Sequence, residues 1–171
     1  MPGSEFTSGT ERLLDRAEGL CRRRGAQLTE LRRYVLGLIL DSPKPVGAYD
    51  LLDRLRARRK GAAPPTIYRA LEFLLEQELI HKLERLSAFV GCVHATEEAH
   101  GHRPEDAVQF LICNRCGQAA ELTDKQIGRA LVGAARRLGF TLSGSTVEVN
   151  GVCAVCADAG SVGEAAHGSR R

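Results

Sequence analysis

Two cysteine pairs constrain this chain more than any other feature. Cys113-Asn-Arg-Cys116 follows the apolar run Phe110-Leu-Ile, and Gly151-Val-Cys-Ala-Val-Cys156 repeats the device, with 36 residues between Cys116 and Cys153. A C-x-x-C turn sets two thiolates on one side of a tight loop, and two such turns complete a tetrahedral Zn²⁺ site. The interval is longer than common zinc-finger spacing and has room for a helix and a strand. Redox dithiols or disulfides are the competing reading, and two matched turns favour zinc over them. A Cys₄ site is closed, with no open position for chemistry. Its expected role is structural, fastening the ends of a small domain.

The chain has 171 residues, enough for one compact domain or two small ones. No run of eighteen apolar residues occurs, so no membrane span is expected. Met1 to Thr10 lacks the apolar stretch of a secretory signal, and Gly3-Ser-Glu-Phe6 is what joined BamHI and EcoRI sites encode. Residues 1–10 are therefore set aside as a cloning-derived, disordered leader. Six cysteines without a secretory signal suggest reduced thiols and metal, hence a cytoplasmic setting. The net charge of +3 is unevenly placed: residues 1–87 carry 16 Lys/Arg against 12 Asp/Glu, and residues 88–171 carry 8 against 9. A basic first half suits a polyanionic partner, although many solvated helical faces are as basic.

Periodicity predicts a helix from about Glu11 to Arg24, ending in Arg22-Arg-Arg24, cations that suit a helix C-terminus or a phosphate backbone equally. Cys21 within it reads as a small buried hydrophobe. Thr29 is the expected N-cap of a second helix, and a third spans about Ala48 to Arg59. After Pro64-Pro-Thr66 a fourth helix runs to about Gln77, with Ile67, Ala70, Leu71, Leu74 and Leu75 on its inner face. Its outward residues are expected to be Thr66, Tyr68, Arg69, Glu72 and Phe73. Exposed Tyr and Arg early in a helix that follows two shorter ones fit a helix-turn-helix reader, whose first residues reach base edges in the major groove. Ile80 to Cys92 reads as a hairpin, or wing, turning at Arg85-Leu-Ser-Ala88. Helices followed by a hairpin spell winged helix, with a generic helical bundle as the alternative.

From Cys92 to Asp106 the chain is polar and histidine-rich, a hinge between halves. Beyond it come a strand at Ala107 to Ile112, a short strand near Ala119 to Leu122, and a capping box at Thr123-Asp-Lys-Gln126. That box opens a helix with Ile127, Ala130, Leu131, Ala134 and Leu138 on one face. A last strand leads from Thr141 into the second cysteine pair, and the Ala/Gly/Ser-rich residues 158–171 read as a disordered tail. Four of the five histidines lie between His81 and His102, with Cys92 among them and Glu121 just after the first pair. Clustered His, Cys and Glu make a mixed tetrahedral site plausible. A wing histidine, a core cysteine and a decorated loop would read the same way.

The order of helix-turn-helix, wing, His/Cys hinge and two C-x-x-C pairs resembles the ferric uptake regulator family. Ala48-Tyr-Asp-Leu-Leu-Asp53, Pro64-Pro-Thr-Ile-Tyr-Arg-Ala-Leu-Glu-Phe-Leu-Leu-Glu76 and Ile80-His-Lys82 look like its zinc uptake regulator branch. The resemblance covers residues 11–157. It implies an α+β chain: a winged helix-turn-helix domain at 11–91, a hinge at 92–106, and a small α/β dimerisation domain at 107–157. It also implies a homodimeric, cytoplasmic bacterial repressor that binds double-stranded operator DNA when zinc is plentiful. Two Zn²⁺ per subunit are expected. Cys113, Cys116, Cys153 and Cys156 match the structural site, and His81, Cys92 and Glu121 match three sensing ligands. The fourth is a hinge histidine: spacing favours His100, with His102 next and His94 also available. Tyr68 and Arg69 match the recognition-helix pair that meets DNA, with Thr66 and Arg32 expected beside them. The Cys92 thiolate favours zinc over the harder ferrous ion, which leaves an iron-sensing relative as the alternative within the family.

Enzyme readings find little support. No His-x-Glu accompanies the cysteine pairs, which are preceded by Ile112 and Val152 rather than proline, so the zinc deaminase pattern is missing. His-Glu-x-x-His is absent too. A bare zinc-ribbon interaction module would leave the basic helical half without a purpose.

Overall fold

The computed structural model describes residues 5–92, 107–142 and 146–164, the side chains only as far as residue 159. The chain divides into two compact units, Met1–His100 and Gly101–Arg171.

The first unit is helical with a small sheet. Helix α1 (Ser8–Arg23) starts three residues earlier than periodicity suggests, because Thr7 caps it by accepting a hydrogen bond from the Thr10 N–H. Residues 5–10 of the expected leader therefore join the fold. Phe6 packs against Tyr34, with ring centroids 5.7 Å apart, and lies over Gly37, where a Cβ would collide with its ring. Helix α2 (Glu30–Leu40) crosses α1 through Arg33, which donates to Glu11 at 2.8 Å, Asp15 at 2.7 Å and Glu18 at 3.3 Å. Thr29 stands at its N-cap without a side-chain capping bond.

Strand β1 (Val46–Gly47), too short for a sequence signal, leads into α3 (Ala48–Arg58). Helix α4 (Pro64–Glu76) begins on two prolines, whose missing N–H groups cost nothing in a first turn. Leu14, Val35, Leu36, Leu51, Leu52, Ile67, Leu71 and Leu74 fill the space between the four helices, each almost fully buried. Strands β2 (Ile80–Leu83) and β3 (Ala88–Gly91) form the wing, joined through a 3₁₀ turn at Glu84–Leu86 and a left-handed Ser87. The sheet order is β1-β3-β2, antiparallel throughout.

The second unit has a three-stranded sheet in the order β5-β4-β6, formed by β4 (Val108–Cys113), β5 (Ala119–Leu122) and β6 (Thr146–Gly151). β4 pairs antiparallel with β5 and parallel with β6, so Cys113 stands opposite Gly151. Phe110 and Ile112 point inward and are buried, while Leu111 is 50% exposed on the other face. Helix α5 (Lys125–Arg137) is capped by Asp124, whose carboxylate accepts from the Gln126 N–H at 2.7 Å, not by Thr123 as the capping-box pattern suggests. The reason lies in β4. The buried Gln109 amide accepts from the Asp124 N–H at 2.9 Å and donates to the Asp124 carbonyl at 3.2 Å, which fixes Asp124 at the helix entrance. Helix α6 (Ala154–Glu164) then runs on through residues that the sequence reading assigns to a disordered tail.

Three helices end alike. After α1, α4 and α5 the closing residue donates its N–H to the carbonyl five residues back: Ala26 to Cys21, Leu79 to Leu74 and Phe140 to Ala135. The preceding residue is left-handed each time, Gly25 at φ 71°, Glu78 at φ 57° and Gly139 at φ 77°.

Candidate metal centre and nucleic-acid interface

The C-terminal ends of parallel β4 and β6 deliver the two cysteine turns to one place. The Sγ atoms of Cys113, Cys116, Cys153 and Cys156 all lie within 4.8 Å of one another. The Cys116 and Cys153 sulfurs are 3.8 Å apart. Four sulfurs at about 2.3 Å from a tetrahedral Zn²⁺ would be separated by about 3.8 Å, so the donor set fits the ion in identity, number and spacing. Backbone groups prepare it further. The Cys153 N–H donates to the Cys113 sulfur at 3.4 Å, and Gly117, left-handed at φ 72°, turns the first loop sharply. Backbone N–H groups of Cys153 and Cys116 hold the Cys113 thiol down at about 6, favouring its thiolate. Hydrogen bonding among the neighbouring sulfurs, Cys153 and Cys116 first, pushes Cys156 up to about 12. Four thiolates crowded this closely need a cation among them.

The expected sensing ligands fall in both units, each described by itself. In the first unit, His81 on β2 pairs with Val90 across the wing, and the Cys92 N–H just after β3 donates to the Leu79 carbonyl at 3.0 Å. This register brings a ring nitrogen of His81 and the Cys92 sulfur within 4.8 Å, both half-buried. In the second unit, Glu121 stands on β5 opposite Phe110, half-buried. His94, His100 and His102 lie outside the described residues.

Helix α4 presents Tyr68, 43% exposed, and Arg69 from its first turns. Phe73, expected outward, is instead buried in the hydrophobic cluster of the unit, with the Arg32 guanidinium of α2 3.7 Å from its ring centroid. Arg32 also donates to the Gln27 carbonyl at 2.8 Å. Both partners are neutral, so the fixed guanidinium keeps its full charge. Thr29, Arg32, Thr66 and Arg69 line a cleft of about 370 Å³ between the starts of α2 and α4. Arg24, the last of the Arg22-Arg-Arg24 run, donates to the Gln77 carbonyl at 2.7 Å and so closes the far end of α4. The Arg-Arg-Arg-Gly run is the available signal, but it does not say which helix the third arginine reaches.

The profile of the Ferric uptake regulator family matches residues 23–150, a span that takes in α2, α3 and α4, the wing, the first cysteine pair and nearly all of β6. The chain belongs to the ferric uptake regulator family. Among relatives of this family, the zinc uptake regulation protein of Escherichia coli (strain K12) is 38% identical over 149 residues, covering 87% of this chain and 84% of that protein. A solved zinc uptake regulator complexed with zinc and DNA superposes with a TM-score of 0.81 at 35% identity, over 91% of this chain and 99% of that one. The crystal structure of holo XcZur gives 0.75 at 44% identity, over 86% and 98%.

Proposed function

We propose that this chain is a zinc-responsive transcriptional repressor that binds operator DNA as a homodimer when zinc-loaded and controls zinc uptake genes in the bacterial cytoplasm. The observation that carries the reading is its similarity, along 91% of its length, to a zinc uptake regulator held with zinc and DNA.

Two Zn²⁺ per subunit fit this reading. Cys113, Cys116, Cys153 and Cys156 hold the structural ion, which when bound supplies a cross-link and no open coordination position. His81, Cys92, Glu121 and a hinge histidine, His100 in preference to His102, form the sensing set. Its thiolate and imidazoles are softer donors than a ferrous sensor needs, and this disfavours the iron-responsive alternative. His81 and Cys92 belong to the reader's unit and Glu121 to the other, so their joint occupancy restrains the segment between them. In a dimer that restraint bears on the spacing of two α4 helices, which must meet major-groove faces one helical turn apart. Converting a 1:99 population to 99:1 takes a differential affinity of about 10⁴, or about 5.5 kcal/mol.

Apolar exposure supports self-association through the second unit. Leu111 and Val149 stand side by side on the outer sheet face, 50% and 48% exposed, and Leu138, the C-cap of α5, is 76% exposed. Within the first unit, Thr66, Tyr68 and Arg69 read the groove and Arg32 stands beside them. Metal analysis of purified protein, paired with binding to promoter fragments under graded free zinc and ferrous ion, tests the assignment. Binding that ignores zinc, or follows iron alone, would refute it.

A further inference from the structure

The acids of α1 share one partner: Glu11, Asp15 and Glu18 all converge on Arg33 of α2. Arg22 and Arg23, at the other end, are exposed and have no acidic partner among the described residues. Next to them Arg24 reaches the Gln77 carbonyl at the end of α4, with Glu78 3.6 Å away. Arg32 covers Phe73 in the middle of α4, and Arg69 projects from its beginning. Arg69, Arg32 and Arg24 thus mark the first turns, the middle and the C-cap of α4, and Arg22 and Arg23 precede Arg24 in the chain.

The length of that span is informative. Helix α4 has 13 residues, about 20 Å at 1.5 Å per residue. A helix seated in a major groove about 12 Å wide has a phosphate strand along each flank. Each strand offers one phosphate per about 3.4 Å of duplex axis, so several fall within reach of such a span.

We propose that Arg22, Arg23, Arg24 and Arg32 form a backbone track, a second DNA-binding element that follows the phosphates of one strand beside the reader helix. The track sets affinity and register and carries no sequence information, which is left to Tyr68 and Arg69. This rests on the operator-binding function proposed above.

The test uses zinc-loaded full-length protein and two short duplexes, one of arbitrary sequence and one enriched by selection with the same protein. Binding is followed across a salt series for the wild type, the R22Q/R23Q double variant and R32Q. R22Q/R23Q alters only exposed side chains, so it keeps its fold and its Cys₄ zinc even if R32Q disturbs Phe73. The slope of log K against log salt should fall by about 0.9 for each phosphate no longer neutralised, about 2 for R22Q/R23Q, with equal fold-losses on both duplexes. An unchanged slope, or a loss confined to the selected duplex, would overturn the track. If selection enriches no sequence, the operator-binding reading fails instead, while a reduced slope on arbitrary DNA would still uphold the track.

Discussion

Replacing Glu78 with glycine should stabilise the helical unit by about 0.5 kcal/mol. Glu78 is the left-handed residue closing α4, at φ 57°, where its own N–H bonds to the Leu75 carbonyl and that of Leu79 to Leu74. A side chain in this conformation costs about 1 kcal/mol that glycine avoids. Against the gain stands the Arg24–Glu78 pair, 3.6 Å long with both side chains about one-third exposed. Solvent screening leaves such a pair about 0.5 kcal/mol at most. The net corresponds to a rise of about 2–4 °C in Tm for a unit of this size. Glu78→Ala isolates the opposing effect: it loses the ion pair, keeps the strain, and should cost about 0.5 kcal/mol. Urea titration by tyrosine fluorescence reads the correct unit. The chain has three tyrosines and no tryptophan, and Tyr34, Tyr49 and Tyr68 all lie in the first unit. A Glu78→Gly protein no more stable than Glu78→Ala would refute the strain argument.

Cys153→Ser should release the structural zinc and leave the second unit unfolded or monomeric, because binding energy at such a site is also folding energy; zinc content and sedimentation check this. Arg69→Ala should weaken operator binding by about 1–3 kcal/mol and relax discrimination at one base position, as a competition assay with mutated operators would reveal. Cys92→Ala should keep the fold, the dimer and the Cys₄ zinc yet lose zinc-dependent binding, whereas retention of full zinc response would remove Cys92 from the sensor. His100→Ala should match Cys92→Ala in a zinc titration and His102→Ala should be milder; the reverse order moves the ligand to His102.

The helices of the first unit are legible because their inner faces repeat at helical spacing, and the Cys₄ group because a repeated C-x-x-C spacing points to one ion. Phe73 is misread because its position on the helix looks outward, whereas it joins the buried cluster of the first unit beneath the Arg32 guanidinium. The Thr123 cap fails for a similar reason. A buried amide 15 residues away in the sequence selects Asp124, and local pattern holds no trace of it. Leader residues such as Phe6 escape a sequence reading because composition marks them as foreign, while Gly37 supplies the notch that receives the ring. The apolar face of α5 is visible in the sequence, but within one chain it stays largely uncovered, since Gly128 is its one buried residue among those described.

The parallel pairing of β4 with β6 makes the cysteine centre a gauge of strand register. Cys113 closes one strand directly beside Gly151 at the end of the other, so Cys153 is positioned by how far β6 has slid along β4. A slip of one residue would move the second turn by about 3.3 Å, while a zinc site tolerates about 0.2 Å in its bond lengths. A misregistered chain would present half of the proposed site. Until the second turn has been synthesised, a growing chain also holds only two of the four sulfurs. On the proposed assignment, retention of the ion would report correct pairing of β4 with β6.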